Sequence, residues 1–254
     1  MLSKILKISL VLLKSKKGFL AWAFAQLVLI YGIEMLITRP KNLLHIKFSW
    51  LIVFAVIFAP ICYRFWLDIK QAYENATLVQ SEPQEKRLSF SGVARMSGVA
   101  ITVSLLIFVI KLNLAVWIVT AFFSSLLLVY ALVLMLNISL LSMGTRKAMQ
   151  FAGDFWIMRS SIPAFLATCL MLAHSVGFIL GRSALKQRLF EVGFSVSSES
   201  VTIWTLSAVL IAVLVWLLAL LNTVLVVGFL EIVNTKKAKN RQLSSAEMLT
   251  MTEN

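Results

Sequence analysis

Long apolar runs separated by polar intervals dominate the chain, and most of the runs are long enough to cross a bilayer as one helix. The pattern predicts six spans, at about 19–37, 48–66, 97–110, 114–141, 163–180 and 201–233. Arg39-Pro40 ends the first, because proline cannot simply continue a helix. Pro60 falls late in the second, with Trp50 and Trp66 placed to mark its two interfaces. Val99 to Met143 is about twice the length one span needs, so a hairpin is expected at Lys111-Leu112-Asn113. Pro163 suits a first helical turn, and Gly181-Arg182 are expected to stop the fifth span. The sixth run exceeds one crossing and must tilt or project from the surface.

The polar intervals carry their own pattern. In residues 1–17, Lys4, Lys7 and Lys14 share one helical face opposite Leu2, Ile5, Leu6, Leu12 and Leu13, which predicts an amphipathic helix lying in the bilayer interface. Asp68 to Arg95 is the longest polar interval between spans, and its first part can continue the second helix towards Pro83. Gly144 to Ser161 interleaves Arg146, Lys147, Asp154 and Arg159 with Phe151, Phe155 and Trp156, as a membrane-surface helix does. Residues 234–254 read as a polar, mobile tail. The fold class expected is all-α: a polytopic integral membrane protein whose six-helix domain occupies 18–233.

Composition narrows this further. Of 254 residues, 60% are hydrophobic and 14% charged, with a mean hydropathy of +0.90, which excludes a soluble domain of this length. The net charge of +13 would suggest nucleic acid in a soluble protein, but anionic headgroups explain it in a membrane one. On six spans, 17 Lys and Arg fall on the side of the termini and 7 on the other, which predicts cytoplasmic termini. Lys14, Lys16 and Lys17 cut short the apolar stretch a cleaved signal would need, so the N-terminus is expected to be retained. Cys62 and Cys169 lie inside apolar runs and carry no redox message.

Ionisable groups in or near spans mark function in membrane proteins, and here they are Glu34, Arg64, Lys111, His174, Arg182 and Glu231. Arg64, Lys111 and Arg182 sit near span ends, where long cationic side chains reach headgroups. Glu34, close to Arg39, and Glu231, ahead of Lys236 and Lys237, are expected to be solvated or paired with these cations rather than to carry protons. His174 lies deep in the fifth span, either as a hydrogen-bonded core group or as a substrate or proton contact. Asn137 and Asn222 read as interhelical glue. The chain holds no HExxH, GxSxG, Gly-rich phosphate loop or intraspan carboxylate pair, so neither catalytic, cofactor-binding nor metal residues are expected.

The amphipathic start, six spans, cytoplasmic termini and polar second-to-third connection resemble the permease half of ABC export systems of the second type. The stretch from Ala152 to Pro163, AGDFWIMRSSIP, is similar to the permease segment in which Gly and an acidic residue precede Phe-Trp, two apolar residues, Arg-Ser and a Pro opening the next span. The resemblance implies a bacterial plasma or inner-membrane subunit with no nucleotide site of its own, driven by a separate ATPase, in a homodimer or heteromeric complex. Tyr73, Leu78, Val79 and Leu88 are the apolar anchors expected to dock that partner, with Phe155, Trp156 and Arg159 a second patch. An ordinary solvated connection is the alternative for the first group. For the whole chain, an accessory subunit of a larger membrane assembly, such as a secretion complex, stays open, and an intramembrane enzyme is more remote.

Overall fold

The computed structural model describes residues 2–38, 44–77, 90–113, 117–140, 144–157, 161–192 and 198–252. Among these it contains eight helices and no strand: α1 (Leu2–Ser15), α2 (Gly18–Thr38), α3 (Leu44–Thr77), α4 (Phe90–Asn113), α5 (Trp117–Leu140), α6 (Thr145–Ile157), α7 (Ser161–Val192) and α8 (Ser198–Thr252). Five of them, α3, α4, α5, α7 and α8, are long and apolar enough to cross a membrane. The protein is therefore a helical membrane protein. α2 is the sixth apolar helix, 21 residues long.

The axis of the bundle is α8. Every residue from Leu218 to Leu230 is buried, which a helix that is apolar on all sides requires. α7 lies antiparallel to it in a fixed register: Pro163 meets Gly228, Gly177 meets Leu214, and Gly181 meets Leu210. Small residues let the two backbones approach where no apolar driving force from water assists them. The same side of α7 buries Ala164, Ala167, Met171 and His174, spaced three or four apart as one helical face demands. α3 runs parallel to α8, with Trp66 beside Asn222 and Tyr73 beside Glu231, whereas α2 is antiparallel to α3, with Gln26 beside Cys62 and Trp22 beside Asp68. α4 is peripheral: it leans on α3 and α5, and its Val103 and Ile107 form a separate small cluster with Ala131.

α1 is amphipathic, but its apolar face meets protein. Ile5, Ser9, Leu12 and Leu13 are buried, and the helix packs mainly on α8. A two-residue joint, Lys16-Lys17, then turns the chain into α2, closed by Lys16 N donating to Leu12 O (3.2 Å) and Phe19 N to Lys16 O (3.0 Å). α1, α3, α6 and α7 converge at one end of the bundle. Lys4, Tyr73, Phe151 and Pro163, one from each, all meet α8 between Gly228 and Glu231.

Several helices outrun the apolar runs that predict them. α4 begins at Phe90 rather than Ser97, and α3 continues to Thr77, while the rest of the expected continuation to Pro83 lies outside the described residues. α7 passes straight through Gly181-Arg182 to Val192. Gly181 is no stop signal here; a Cβ at this position would overlap Leu210, so the glycine serves close approach. Residues 234–252, expected to be a mobile tail, continue α8 as helix. Hydropathy locates the bilayer core, but backbone hydrogen bonding continues wherever Pro is absent and propensity is adequate, and Lys236, Ala238, Gln242, Ala246 and Glu247 supply it.

Candidate functional site

Asn222 is the polar centre of the apolar axis, and three helices arrange side chains around it. Its Nδ2 donates to Gln26 Oε1 of α2 (2.8 Å) and to Leu218 O one turn earlier (2.9 Å). Its Oδ1 accepts from Trp66 Nε1 of α3 (2.7 Å) and, at 3.5 Å, from Gln26 Nε2. Gln26 Nε2 also donates to Cys62 Sγ at 3.1 Å. Gln26, Cys62, Trp66 and Asn222 are all fully or almost fully buried. Both amide N–H pairs and the indole N–H are thereby used, so the cluster is closed, as buried polar groups in a low dielectric must be.

A second polar layer lies nine residues further along α8. Glu231 Oε1 accepts from Tyr73 OH of α3 (2.8 Å), and Oε2 pairs with Lys4 Nζ of α1 (2.9 Å). Between the layers, Trp22 Nε1 of α2 donates to Asp68 Oδ2 of α3 at 2.9 Å, and Arg64 reaches Asp68 Oδ1 at 3.5 Å. Three aromatic donors, Trp22, Trp66 and Tyr73, thus tie neighbouring helices to the polar groups of α3 and α8. Together the two layers bind α1, α2 and α3 to one axis. Chemically the arrangement holds and orients helices. Among the described residues no three of His, Cys, Asp and Glu converge to hold a metal ion.

The residues expected from sequence fare differently. Asn222 is interhelical, as anticipated. Asn137 is not: its Nδ2 returns to Val133 O of its own helix (2.8 Å), while its buried Oδ1 has no hydrogen-bond partner. The correction follows from geometry, since an amide in mid-helix can always reach the carbonyl one turn back. His174 is buried on the inner face of α7, where the register places it near Leu217 of α8. Next to it, Ser175 Oγ lies 3.4 Å from Ser125 Oγ of α5.

Tyr73, expected as a docking anchor, is 3% exposed and turned into the bundle against Glu231. Glu231 pairs with Lys4, more than two hundred residues away, while the side chains of Lys236 and Lys237 lie outside the described set. Trp66 is no interface marker, being fully buried on Asn222. Leu78, Val79, Leu88 and Arg159 lie outside the described residues. Phe155 and Trp156 fall on the last turn of α6, with side chains outside the described set, as are those of Glu34, Lys111 and Arg182. Gln26 carries no charge to mark it among the ionisable groups, yet it stands alone as an amide in the apolar run of α2.

Comparison with protein-family models, with curated proteins and with solved structures finds no match for this chain.

Proposed function

We propose that the protein is a six-span permease subunit of an ABC-type exporter, with both termini in the cytoplasm, no nucleotide site of its own and a separate ATPase as its motor. The observation that carries this reading is the end of the bundle where α1, α6 and the projecting end of α3 gather on α8. A soluble motor transmits work to spans only through elements that are rigid and rigidly joined to them. α3 is one continuous helix from Leu44 to Thr77, and its Tyr73 is bonded to the same glutamate that holds α1. α6 is joined to the axis through Phe151, whose ring lies 5.8 Å from that of Phe229. α2 supplies the sixth span, since 21 residues of helix extend about 31 Å. Apolar walls suit a lipid-like or hydrophobic peptide cargo better than a small ion.

A second reading, an accessory or structural subunit of a larger membrane assembly, is favoured by the closure of the Gln26–Asn222 cluster, which keeps its hydrogen bonds to itself. One experiment separates the two. Purification of the native complex in mild detergent is expected to retain an ATPase, and Leu78→Asp with Val79→Asp is expected to release it without impairing insertion. A native complex with no ATPase, together with a phenotype indifferent to ATP hydrolysis, overturns the permease reading in favour of the accessory one.

A further inference from the structure

At the end of the bundle where α1 and α6 meet α8, the acids whose side chains are described are already held: Glu231 by Lys4, Asp68 by Arg64 and Glu74 by Lys70. Lys7, Lys14, Lys16 and Lys17, on α1 and its joint to α2, and Arg146 and Lys147 on α6 are exposed and have no acidic partner among the residues whose side chains are described. Six like charges gathered beside an apolar bundle call for an external counter-charge. Their setting indicates which kind.

α1 turns Ile5, Ser9, Leu12 and Leu13 into the protein, so helical geometry presents Lys7, Val11 and Lys14 on the opposite side, with Leu10 beside them. Val11 is 54% exposed and Leu10 is exposed as well, interleaved with the lysines. An acidic soluble partner leaves such apolar groups unexplained, whereas the boundary between headgroups and acyl chains accommodates both: aliphatic groups enter the acyl region and lysine stems carry ammonium groups to the phosphates. α2 continues the pattern. Within three residues of Lys17 it opens an exposed apolar stripe, Leu20, Phe24 and Val28, at four-residue intervals along one face. The lysine joint thus caps a lipid-facing stripe, which is the position of the phosphate plane.

We propose that this end of the bundle is a binding surface for anionic phospholipid, with Lys7, Lys14, Lys16 and Lys17 as its principal contacts and Arg146 and Lys147 as a second patch on α6. The inference rests on the protein's residence in a membrane and is independent of the permease reading. A lysine near an anionic surface contributes about fivefold in affinity, and the effect is screened by salt.

The test uses the full-length protein in a non-ionic detergent, supplied with equal amounts of phosphatidylglycerol and phosphatidylcholine, with retained lipid quantified by native mass spectrometry. The wild type is expected to retain phosphatidylglycerol preferentially. K7Q/K14Q/K16Q/K17Q is expected to lower that preference about tenfold or more, and R146Q/K147Q to lower it less. Equal retention of the two lipids by the wild type, or an undiminished preference in the quadruple variant, overturns the proposal. If the quadruple variant does not fold, K16Q/K17Q carries the test, because both side chains are exposed in the joint; an unchanged preference in that pair overturns it equally. Displacement of phosphatidylglycerol by millimolar inorganic phosphate, but not by chloride at equal ionic strength, identifies a free-phosphate site and also overturns it.

Discussion

Replacing Asn222 by leucine strands two donors at once, the Trp66 indole N–H and one N–H of Gln26, inside a shell that water does not reach. An orphaned buried donor costs about 1–3 kcal/mol, although interhelical hydrogen bonds in membranes average only about 0.6. Asn222→Leu should therefore lower the unfolding temperature in detergent. The triple change Gln26→Leu, Trp66→Phe, Asn222→Leu should recover part of the loss, because it removes donors and acceptors together. A triple variant less stable than Asn222→Leu alone would show that the cluster holds the helices by more than mutual satisfaction. Asn222 was legible in the sequence as a lone amide in a long apolar run. Its partners were not, because Gln26 and Trp66 join it only when three helices take one rotational phase.

At the scale of elements, the α7–α8 seam makes its own demands on single positions. A Cβ at Gly228 would lie 2.6 Å from Pro163 Cβ, and a proline ring cannot rotate aside. Gly228→Ala is expected to destabilise by about 1–3 kcal/mol as an overpacked contact. Gly177→Ala meets Leu214 at an ordinary 3.6 Å and should be neutral or stabilising by up to about 1 kcal/mol through helix propensity. Equal effects in thermal unfolding would contradict the register. α1 offers a different test, since its ion pair with Glu231 is half in water: the Lys4 side chain is 63% exposed. Glu231→Gln keeps an acceptor for Tyr73 but removes the charge, a loss of at most about 1 kcal/mol. Amide exchange in α1 should accelerate, with α7 and α8 unchanged, and added salt should have the same effect on the wild type.

For the whole molecule, the paired contacts fix how the helix ends are shared. α1, α6, the end of α3 and the start of α7 all meet the Gly228–Glu231 stretch of α8, and the exposed cations of α1 and α6 lie with them. On the proposed topology that end faces the cytoplasm, as the positive-inside rule expects. A reporter fused after Asn254 should be active only in its cytoplasmic form. Activity of an exported-only reporter at that position would reverse the orientation and with it the permease reading.

By itself the sequence determined the solvent of this protein, the helical character of its spans and the excess of cations in its polar intervals. Each of these is a sum over neighbouring residues: hydropathy over a window, propensity over a turn, charge over an interval. Only the tertiary structure decided that α1 buries its apolar face on α8, that Tyr73 turns inward, that Glu231 pairs with Lys4, and that Gly181 serves packing. Such choices depend on register and rotational phase between helices far apart in the chain. Lys4 and Glu231 are 227 positions apart, and no local sum contains their distance.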